Sequence, residues 1–399
     1  MPIVMHAALS ALRLRHEITL VTVAGPDRRE LDAIEHLRAS GLNVIAAARA
    51  QPGIGGRMLR YARHSAEWLA GDLPMRTIWF RDDRVQRMLT DLLSRARFDV
   101  IHVEDNAMGA YRLPPVAPTL LVEHEVRRAR PPHWLDVVSR RPLRTMLDEL
   151  DWQRWDGYQR AVWRRFERVQ VFSDRDADRL RSIEPSLAAR VRVNTFGIVP
   201  PPAGSLDYSR EEADHLVFVG QFLHQPNVDA ARWLVREILP RLRRRHAGVK
   251  LSIVGEDPQR LIRDLAGDGV TLHGWVADLA AVVERAAVVV APVRTGGGVR
   301  MKVMEAMAFA KAVVSTSRGA SGLSADAEEP PLALADDADT FAERTSELLD
   351  APAARRELGQ RARRFVERHH TADRYGARIE AIYDELVGEW AGRASATPA

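Results

Sequence analysis

The amino-acid sequence predicts an α/β protein built from two doubly wound, Rossmann-like domains. Short runs rich in β-branched residues alternate with longer runs of helical periodicity, a pattern typical of parallel sheets covered on both faces by helices. The 399 residues are too many for one hydrophobic core and suit two domains of ordinary size. A segment with three prolines and one glycine, residues 199–205, lies near the middle of the chain and is typical of a linker.

The first half contains five predicted strands with helical patterns between them. The strands are residues 18–23, 43–47, 100–103, 120–122 and 169–172, and the helices include residues 28–39 and 84–95. A stripe of apolar residues spaced by three or four predicts one further helix that faces the core with Trp155, Tyr158, Val162, Phe166 and Val169.

The second half repeats this alternation. Its predicted strands are residues 216–219, 250–254, 270–272, 288–291 and 313–315, and its helices include residues 228–244, 278–285 and 303–310. We assign residues 1–200 to a first domain, 201–214 to the linker, 215–371 to a second domain and 372–393 to a terminal helix that packs back towards the first domain. Two such halves imply a cleft between them, where ligands bind beyond the carboxyl ends of the strands.

The glycine-rich turn after the predicted strand 288–291 is the most informative segment. Gly296, Gly297 and Gly298 let a backbone approach a ligand closely, and the helix that follows offers free N–H groups at its start. Arg300 and Lys302 would be unfavourable in a first helical turn unless an anion such as phosphate lay against it. Glu305 follows one turn later, within reach of the hydroxyl groups of a sugar.

Composition excludes several classes of protein and site. The chain has no cysteine, which removes disulfides, thiolate metal sites and cysteine nucleophiles and fits a reducing cytosol. No apolar run is long enough to span a membrane and no signal peptide is visible, so we expect a cytoplasmic protein. The net charge is +4, and residues 127–168 hold eleven arginines and six acids, with Trp134, Trp152, Trp155 and Trp163 among them. This basic segment leaves open a peripheral contact with the anionic inner face of the membrane.

Several segments together resemble the bacterial group 1, or GT4-like, family of retaining glycosyltransferases with the GT-B fold. The resemblance covers nearly the whole chain and is densest in residues 218–220, 226–230, 253–255, 273–279, the glycine turn with residues 305–308, and residues 311–316. In the first half, residues 98–104, 122–125 and 172–177 are similar to acceptor-side loops and to the turn before the interdomain crossing.

The resemblance implies a role for each of the residues that match it. Glu305 matches the glutamate that holds the donor ribose, and His124 matches a histidine near the reacting sugar. Arg300 and Lys302 would stabilise the donor diphosphate as catalytic cations. The donor site would be completed by Gly220, Gly274, Trp275, Val276, Gly296, Gly297, Gly298 and Val299.

Three departures from the family pattern bear on these expectations. Gly297 stands where many relatives carry a second glutamate, and residues 220–225 lack the Arg and Lys that many carry there, a charge that Arg300 and Lys302 would supply. The family also opens with a strand, whereas this sequence opens with a helical pattern over residues 1–14. We therefore expect the first domain to lack its first strand, because of either a start assigned too far downstream or a lost strand.

The implied reaction is transfer of a sugar from a nucleotide-diphosphate donor to a hydroxyl acceptor with retention. No cofactor or metal is expected beyond this co-substrate. Pairs of aspartates can hold Mg²⁺ beside a diphosphate, but those at Asp174/Asp176, Asp176/Asp178 and Asp337/Asp339 fall in turns or helix starts, where capping is the simpler interpretation. Cell-surface polysaccharide or glycoconjugate synthesis is the expected setting, and glycan, lipid-linked and small-molecule acceptors all remain open.

Other functions compete with this interpretation. A GT-B sugar-nucleotide epimerase would share the donor site, and an inactive relative would serve as a binding subunit. Nucleic-acid binding is disfavoured because arginine is spread through the chain without a recognisable module. A dinucleotide-binding oxidoreductase is disfavoured because no G-x-G-x-x-G motif follows an early strand.

Overall fold

The chain folds into two compact units. The computed structural model describes residues 2–25, 27–48, 54–126, 142–202, 204, 208–256, 261–296, 301–325 and 328–396. The N-terminal unit comprises Ala8–Asn194 and Gly376–Ala399, and the C-terminal unit comprises Met1–Ala7 and Thr195–Tyr375.

In the described part of the first half, helices alternate with six short strands. The strands are β1 (Thr19–Ala24), β2 (Asn43–Ala48), β3 (Ile101–Glu104), β4 (Thr119–Val122), β5 (Arg168–Val171) and β6 (Val191–Val193). The helices are α1 (Pro2–Leu12), α2 (Arg28–Ala39), α3 (Ile54–Ala70), α4 (Met75–Phe80), α5 (Asp83–Arg95), α6 (Pro142–Arg164) and α7 (Asp174–Ile183). All five strands predicted for this half are confirmed, and β6 is additional.

The strands of the N-terminal unit form two parallel sheets among the described residues. One pairs β1 with β2, and the other has the order β3-β4-β5-β6. No ladder joins β1 to β3 in this part of the chain, so the single sheet expected for this half occurs as two. The predicted stripe is confirmed only as far as α6 extends, where Trp155 and Val162 are buried; Phe166 follows the end of the helix, and Val169 lies in β5 rather than on the helix.

The second half contributes six strands and seven helices among the described residues. The strands are β7 (His215–Val219), β8 (Lys250–Val254), β9 (Val270–His273), β10 (Val288–Ala291), β11 (Ala312–Ser315) and β12 (Ala333–Leu334). The helices are α8 (Gln225–Trp233), α9 (Leu239–Leu242), α10 (Leu279–Arg285), α11 (Met301–Ala308), α12 (Ala338–Asp350), α13 (Pro352–His369) and α14 (Ala372–Ala396). None of the described helices is long and apolar enough to cross a membrane.

The sheet of the C-terminal unit is parallel throughout, with the order β12-β11-β10-β7-β8-β9. The chain runs outward from β7 through β8 to β9 and then returns to the other side of β7 with β10. This reversal creates a switch point between β7 and β10, where the loops after both strands leave the sheet in opposite directions. In open α/β sheets such a point is the usual place for a ligand.

One predicted helix differs from the structure. The pattern over residues 228–244 predicts a single helix, whereas α8 begins at Gln225 and is separated from α9 by a π-helical segment, Leu234–Ile238. Pro240 is the second residue of α9, just after this segment. Proline has no N–H and cannot donate the i to i−4 hydrogen bond of an α-helix. The wider π-helical turn keeps the helical segment continuous past the proline.

Polar groups predicted to be caps or linker residues have defined structural roles. The Asp337 side chain accepts a hydrogen bond from the Thr340 N–H and caps α12, and Ser173 caps α7, with Asp174 and Asp176 in its first turn. Within the predicted linker, residues 203 and 205–207 lie outside the described residues. Glu211 is buried in an ion pair with Lys311 at 3.1 Å.

Candidate functional site

The loops that follow the central strands of the C-terminal unit are joined by backbone hydrogen bonds. The Gly220 N–H, just after β7, donates to the Val254 carbonyl at 2.9 Å, and the Gly255 N–H, just after β8, donates to the Gly274 carbonyl at 3.3 Å. These contacts bring Gly220 and Gly274, both predicted to bind the donor, to the same edge of the sheet. The edge is the carboxyl end of the strands, as a ligand site of this fold requires.

Gly255 is the tightest point of this edge. Its φ of +145° is rarely adopted by residues with a side chain, and a Cβ atom here would lie 1.7 Å from the Gly220 carbonyl oxygen. The two loops can therefore approach each other closely only with glycine at this position.

Lys302, in the first turn of α11, is held beside the loop that begins at Gly220. Its ammonium group donates a hydrogen bond to the Asn227 Oδ1 atom and lies 4.8 Å from the centre of the Phe218 ring. The amide of Asn227 in turn donates to the Gln221 carbonyl at 2.8 Å. The cation predicted from the glycine turn therefore stands at the switch point, next to Gly220.

Glu305, one turn further along α11, has a half-buried carboxyl group. Burial raises its pKa to about 7, because the charged form loses hydration. No hydrogen bond or ion pair to this carboxylate comes from the residues that the structure describes. A partly buried carboxylate that lacks such partners favours a ligand that donates hydrogen bonds to it.

The glycine turn itself is described only in part. Gly296 has a φ of +91°, as expected for a tight turn after β10. Arg294, just before it, forms a two-point ion pair with Asp229 of α8 at 2.7 and 3.1 Å. Gly297, Gly298, Val299 and Arg300 lie outside the described residues, so their roles remain predictions.

The remaining predicted donor-site residues follow β9. Gly274 has room for a side chain, Trp275 is 60% exposed and Val276 is half-buried. An exposed indole ring at the end of a strand offers a flat apolar surface. Its contact with a base remains a prediction.

For two parts of this edge the sequence predicted no role, although each includes residues from a segment that carries the family resemblance. The first is Asn227, whose side chain links Lys302 to the Gln221 backbone; its position at the start of the helix after Gly220 was the available signal. The second is the loop after β11, where the Gly319 N–H donates to Thr316 Oγ1 at 2.8 Å and Thr316 bonds the Val293 carbonyl. This loop fixes the segment that leads into the glycine turn.

A second polar cluster lies at the carboxyl ends of β3 and β4 in the N-terminal unit. The parallel register pairs Glu104 with Val122, which brings His124 alongside Glu104. The His124 Nε2 atom lies 2.7 Å from Glu104 Oε2 and the His102 Nε2 atom lies 3.1 Å from Glu104 Oε1. The His102 contact does not have the geometry of a hydrogen bond. The Tyr383 hydroxyl completes the cluster at 2.6 Å from His102 Nδ1.

The charge of Glu104 depends on its two histidines. Burial alone would raise its pKa, but the contacts with His102 and His124 outweigh burial and lower the pKa to about 2. Glu104 is therefore an anion at neutral pH. Because a carboxylate accepts hydrogen bonds, the Nε2 atom of His124 carries a hydrogen, and Nδ1 is the nitrogen left for another partner.

Glu123, next to His124, is a buried carboxyl group whose pKa is shifted in the opposite direction from that of Glu104. It accepts hydrogen bonds from Asn106 Nδ2 and Trp163 Nε1, each at 2.6 Å. Burial dominates and raises its pKa to about 7. Its partners are fixed core groups, so its role is to anchor the loop that carries His124. Among the described residues, no group of three or more His, Asp or Glu side chains is arranged to hold a metal ion.

Comparison with known proteins gives one family match and many structural matches. Residues 213–351 match the model of the family described as "Glycosyl transferases group 1". No curated protein sequence matches the chain.

Three solved structures illustrate the fold. Sucrose-phosphate synthase from Thermosynechococcus elongatus has a TM-score of 0.58 at 17% identity, covering 93% of this chain and 100% of that one. Anabaena HepE in complex with UDP and glucose has a TM-score of 0.59 at 13% identity, covering 93% and 100%. Trehalose 6-phosphate synthase from Burkholderia multivorans has a TM-score of 0.58 at 14% identity, covering 96% and 100%.

These matches bear on the class of enzyme and on the fold. The α/β fold with parallel sheets is that of the GT-B glycosyltransferases, which confirms the predicted fold class. The match over residues 213–351 lies on the part of the chain that carries Lys302 and Glu305. Together the match and the fold support a glycosyltransferase enzyme with the GT-B fold.

Proposed function

We propose that the protein transfers a sugar from a nucleotide-diphosphate sugar to a hydroxyl acceptor with retention of anomeric configuration, as a GT4-like enzyme with a glycine-rich donor turn. The observation that carries this proposal is that α11 places Lys302 at the switch point and, one turn further on, the half-buried carboxyl of Glu305, which has no partner among the described residues. The cation suits a diphosphate, and the carboxyl suits the hydroxyl groups of a ribose. HepE, which shares the fold, is described in complex with UDP and glucose, which supports a donor of this chemical class.

In the proposed mechanism, charge separates as the bond from the sugar to the diphosphate breaks. Negative charge grows on the leaving phosphate, where Lys302, the N–H groups at the start of α11 and Arg300 stabilise it more than in the ground state. The leaving phosphate takes the proton of the attacking hydroxyl. No protein nucleophile is needed, and no metal ion is invoked.

The N-terminal unit contributes His124 to the reacting sugar in this proposal. Its Nε2–H is committed to Glu104, so Nδ1 is the nitrogen that would accept a hydrogen bond from a sugar hydroxyl. Glu104 is a positioning residue, because it acts through His124 by fixing its tautomer and ring orientation. We place the acceptor in cell-surface polysaccharide or glycoconjugate synthesis, as a glycan, a lipid-linked glycan or a small molecule.

A panel assay tests the proposed reaction. Purified protein is incubated with UDP-, GDP-, ADP- and dTDP-sugars and a set of glycan and lipid acceptors, and products are separated by mass and anomeric configuration. Release of nucleotide diphosphate together with an α-linked product from an α-linked donor supports transfer with retention. An epimerised donor without transfer, or an inverted linkage, would reject it.

Replacing Glu104 with glutamine should slow transfer by about 10²-fold, the lower end of the effect of a positioned acid–base group. The amide can no longer act as a fixed anionic acceptor for His124 Nε2–H. The measurement is kcat for Glu104→Gln, His124→Ala and the double variant. We expect the Glu104 substitution to have no further effect in the His124→Ala background, because the two residues act as a unit.

The control is Glu35→Gln, which removes an exposed ion pair with Arg38 in the same unit and should leave kcat unchanged. Acid unfolding gives an independent readout. A carboxyl whose pKa falls from 4.5 to about 2 on folding adds stability above pH 4.5 and loses it as the pH falls towards 2. The Glu104→Gln variant should lack this loss of stability at low pH. If the effects of the Glu104 and His124 substitutions on kcat are additive, and the acid unfolding curve of Glu104→Gln is that of wild type, the assignment of Glu104 as a positioning residue is contradicted.

A further inference from the structure

Two cations flank the glycine turn, and helix α8 contacts both of them. Arg294 precedes the turn; its guanidinium forms the two-point ion pair with Asp229 and lies over the buried Trp233 ring, 4.8 Å from the ring centre. Lys302 follows the turn and donates a hydrogen bond to Asn227 Oδ1. Asn227, Asp229 and Trp233 all belong to α8, so one helix positions the chain on both sides of the turn.

The two cations receive different kinds of partner from α8. The charge of Arg294 is offset by a carboxylate, which makes this arginine an anchor for the turn. Lys302 is held by an amide oxygen and by the face of the Phe218 ring, whose centre lies 4.8 Å from the ammonium nitrogen. Neither Asn227 nor Phe218 carries a charge, so these two contacts fix the ammonium group without placing a negative charge beside it.

Stability alone would favour an acid at position 227. Asn227 is the third residue of α8, and the first turn of this helix holds no acidic residue. A carboxylate at this position would interact favourably with the helix N-terminus and would form an ion pair with the Lys302 ammonium. An asparagine makes neither contribution. Positions at which a sequence departs from the most stabilising residue are expected at functional sites.

The side chain of Asn227 also supports the loop after β7. Its Nδ2 group donates to the Gln221 carbonyl at 2.8 Å, and a Cβ atom added at Gly220 would lie 3.2 Å from the Asn227 Cγ atom. Asn227 thus connects this loop to the Lys302 cation. Support of the loop and preservation of the charge on Lys302 are two different roles, and they lead to opposite expectations for an acid at position 227.

We propose that Asn227 is a positioning residue for the donor diphosphate, which holds the Lys302 ammonium at the switch point without neutralising it. The inference rests on the proposed function, because the ligand that benefits is the nucleotide-diphosphate sugar. Asn227 acts through Lys302 and need not touch the donor. A carboxylate at position 227 would hold the same cation in the same place, but it would compete with the phosphate for that cation and repel the phosphate.

Titration calorimetry on Asn227→Asp and Asn227→Ala tests this inference. The probes are UDP, GDP, ADP and dTDP and the corresponding nucleoside monophosphates, so the difference within a pair reports the terminal phosphate. Asn227→Asp should weaken diphosphate binding about tenfold, the low end of the loss of one hydrogen bond to a charged group, and should weaken monophosphate binding less. Asn227→Ala adds no charge and should lose less affinity for the diphosphate than Asn227→Asp.

Thermal unfolding should rank the two variants in the opposite order. Asn227→Asp should melt at a higher temperature than Asn227→Ala, because the carboxylate keeps an acceptor for Lys302 and adds a negative charge near a helix N-terminus. A purely structural role would instead make diphosphate affinity follow stability. The control is Gln360→Glu, which adds the same charge at an exposed position of α13 in the same unit and should bind the diphosphate like wild type.

The Lys302→Ala background separates this inference from the proposed function. Asn227→Ala should have no further effect there, because Asn227 acts through that lysine. Wild-type affinity in Asn227→Asp, or a larger loss of diphosphate affinity in Asn227→Ala than in Asn227→Asp, would overturn the inference while a weakened Lys302→Ala variant keeps the donor site. Wild-type diphosphate affinity in Lys302→Ala would reject the role of Lys302 in the proposed function and the inference with it.

Discussion

Replacing Lys302 with alanine is expected to lower kcat for sugar transfer by about 10²–10³-fold, the typical cost of removing one preorganised group that stabilises transition-state charge. The ammonium group stands at the switch point with its position fixed by Asn227 and by the Phe218 ring. Because charge on the diphosphate grows as the glycosidic bond breaks, the loss should fall on kcat more than on KM. Steady-state kinetics with the donor found in the panel assay would measure both.

Lys250→Ala is the matched control, because this lysine lies in the same unit with a largely exposed side chain and only a distant ion pair with Glu212. It should retain wild-type kcat, since exposed pairs of this kind contribute little. An unchanged kcat for Lys302→Ala, at a melting temperature equal to that of wild type, would remove Lys302 from the mechanism.

Replacing Gly255 with alanine is expected to destabilise the C-terminal unit by about 3 kcal/mol or more. The new Cβ would overlap the Gly220 carbonyl, and the residue would have to keep a φ of +145°. The overlap forces the loops after β7 and β8 apart, so nucleotide binding should weaken as well. Thermal unfolding with and without nucleotide would record both effects, and a loss of this size is a large part of a domain's stability.

Gly248→Ala provides the comparison, because a Cβ at Gly248 meets no atom within 4 Å and its backbone angle is ordinary. Its melting temperature should stay close to that of wild type. Equal stabilities for the two variants would show that the loops after β7 and β8 can separate without cost. That result would contradict the tight contact between Gly255 and the Gly220 carbonyl.

The sequence predicted every described strand longer than three residues, because each is a short β-rich run between clear turn or helix signals. The three-residue β6 and two-residue β12 are too short to produce a pattern and exist only through pairing with β5 and β11. The π-helical segment before Pro240 was missed because periodicity continues through it. The division of the first-half strands into two sheets depends on ladder partners, which a strand pattern does not specify.

Short sequence motifs predicted the site residues that lie within a single segment of the chain. Gly220, Lys302 and Glu305 lie in short segments whose glycine spacing and charge are visible in the sequence. The pairing of Lys302 with Asn227, which is 75 positions away, and of His102 with Tyr383 depends on the folded structure. The contrast between Glu104 and Glu123 is also invisible in sequence, since two similar acids acquire pKa values of about 2 and about 7 from their surroundings.

Calorimetric titration with UDP, GDP, ADP and dTDP, on wild type and Glu305→Gln, tests the donor site most directly. We expect one nucleotide to bind wild type and to bind the variant at least about tenfold more weakly, a difference of about 1.4 kcal/mol. The pKa of free Glu305 is raised to about 7, so hydroxyl groups that donate to its carboxylate should favour the ionised form and release a proton on binding near pH 6.5. Buffers of different ionisation enthalpy would reveal that release in wild type and its absence in the variant. Binding of equal strength to both proteins, or no binding of any nucleotide to folded wild type, would contradict the assignment of Glu305 and α11 to the donor.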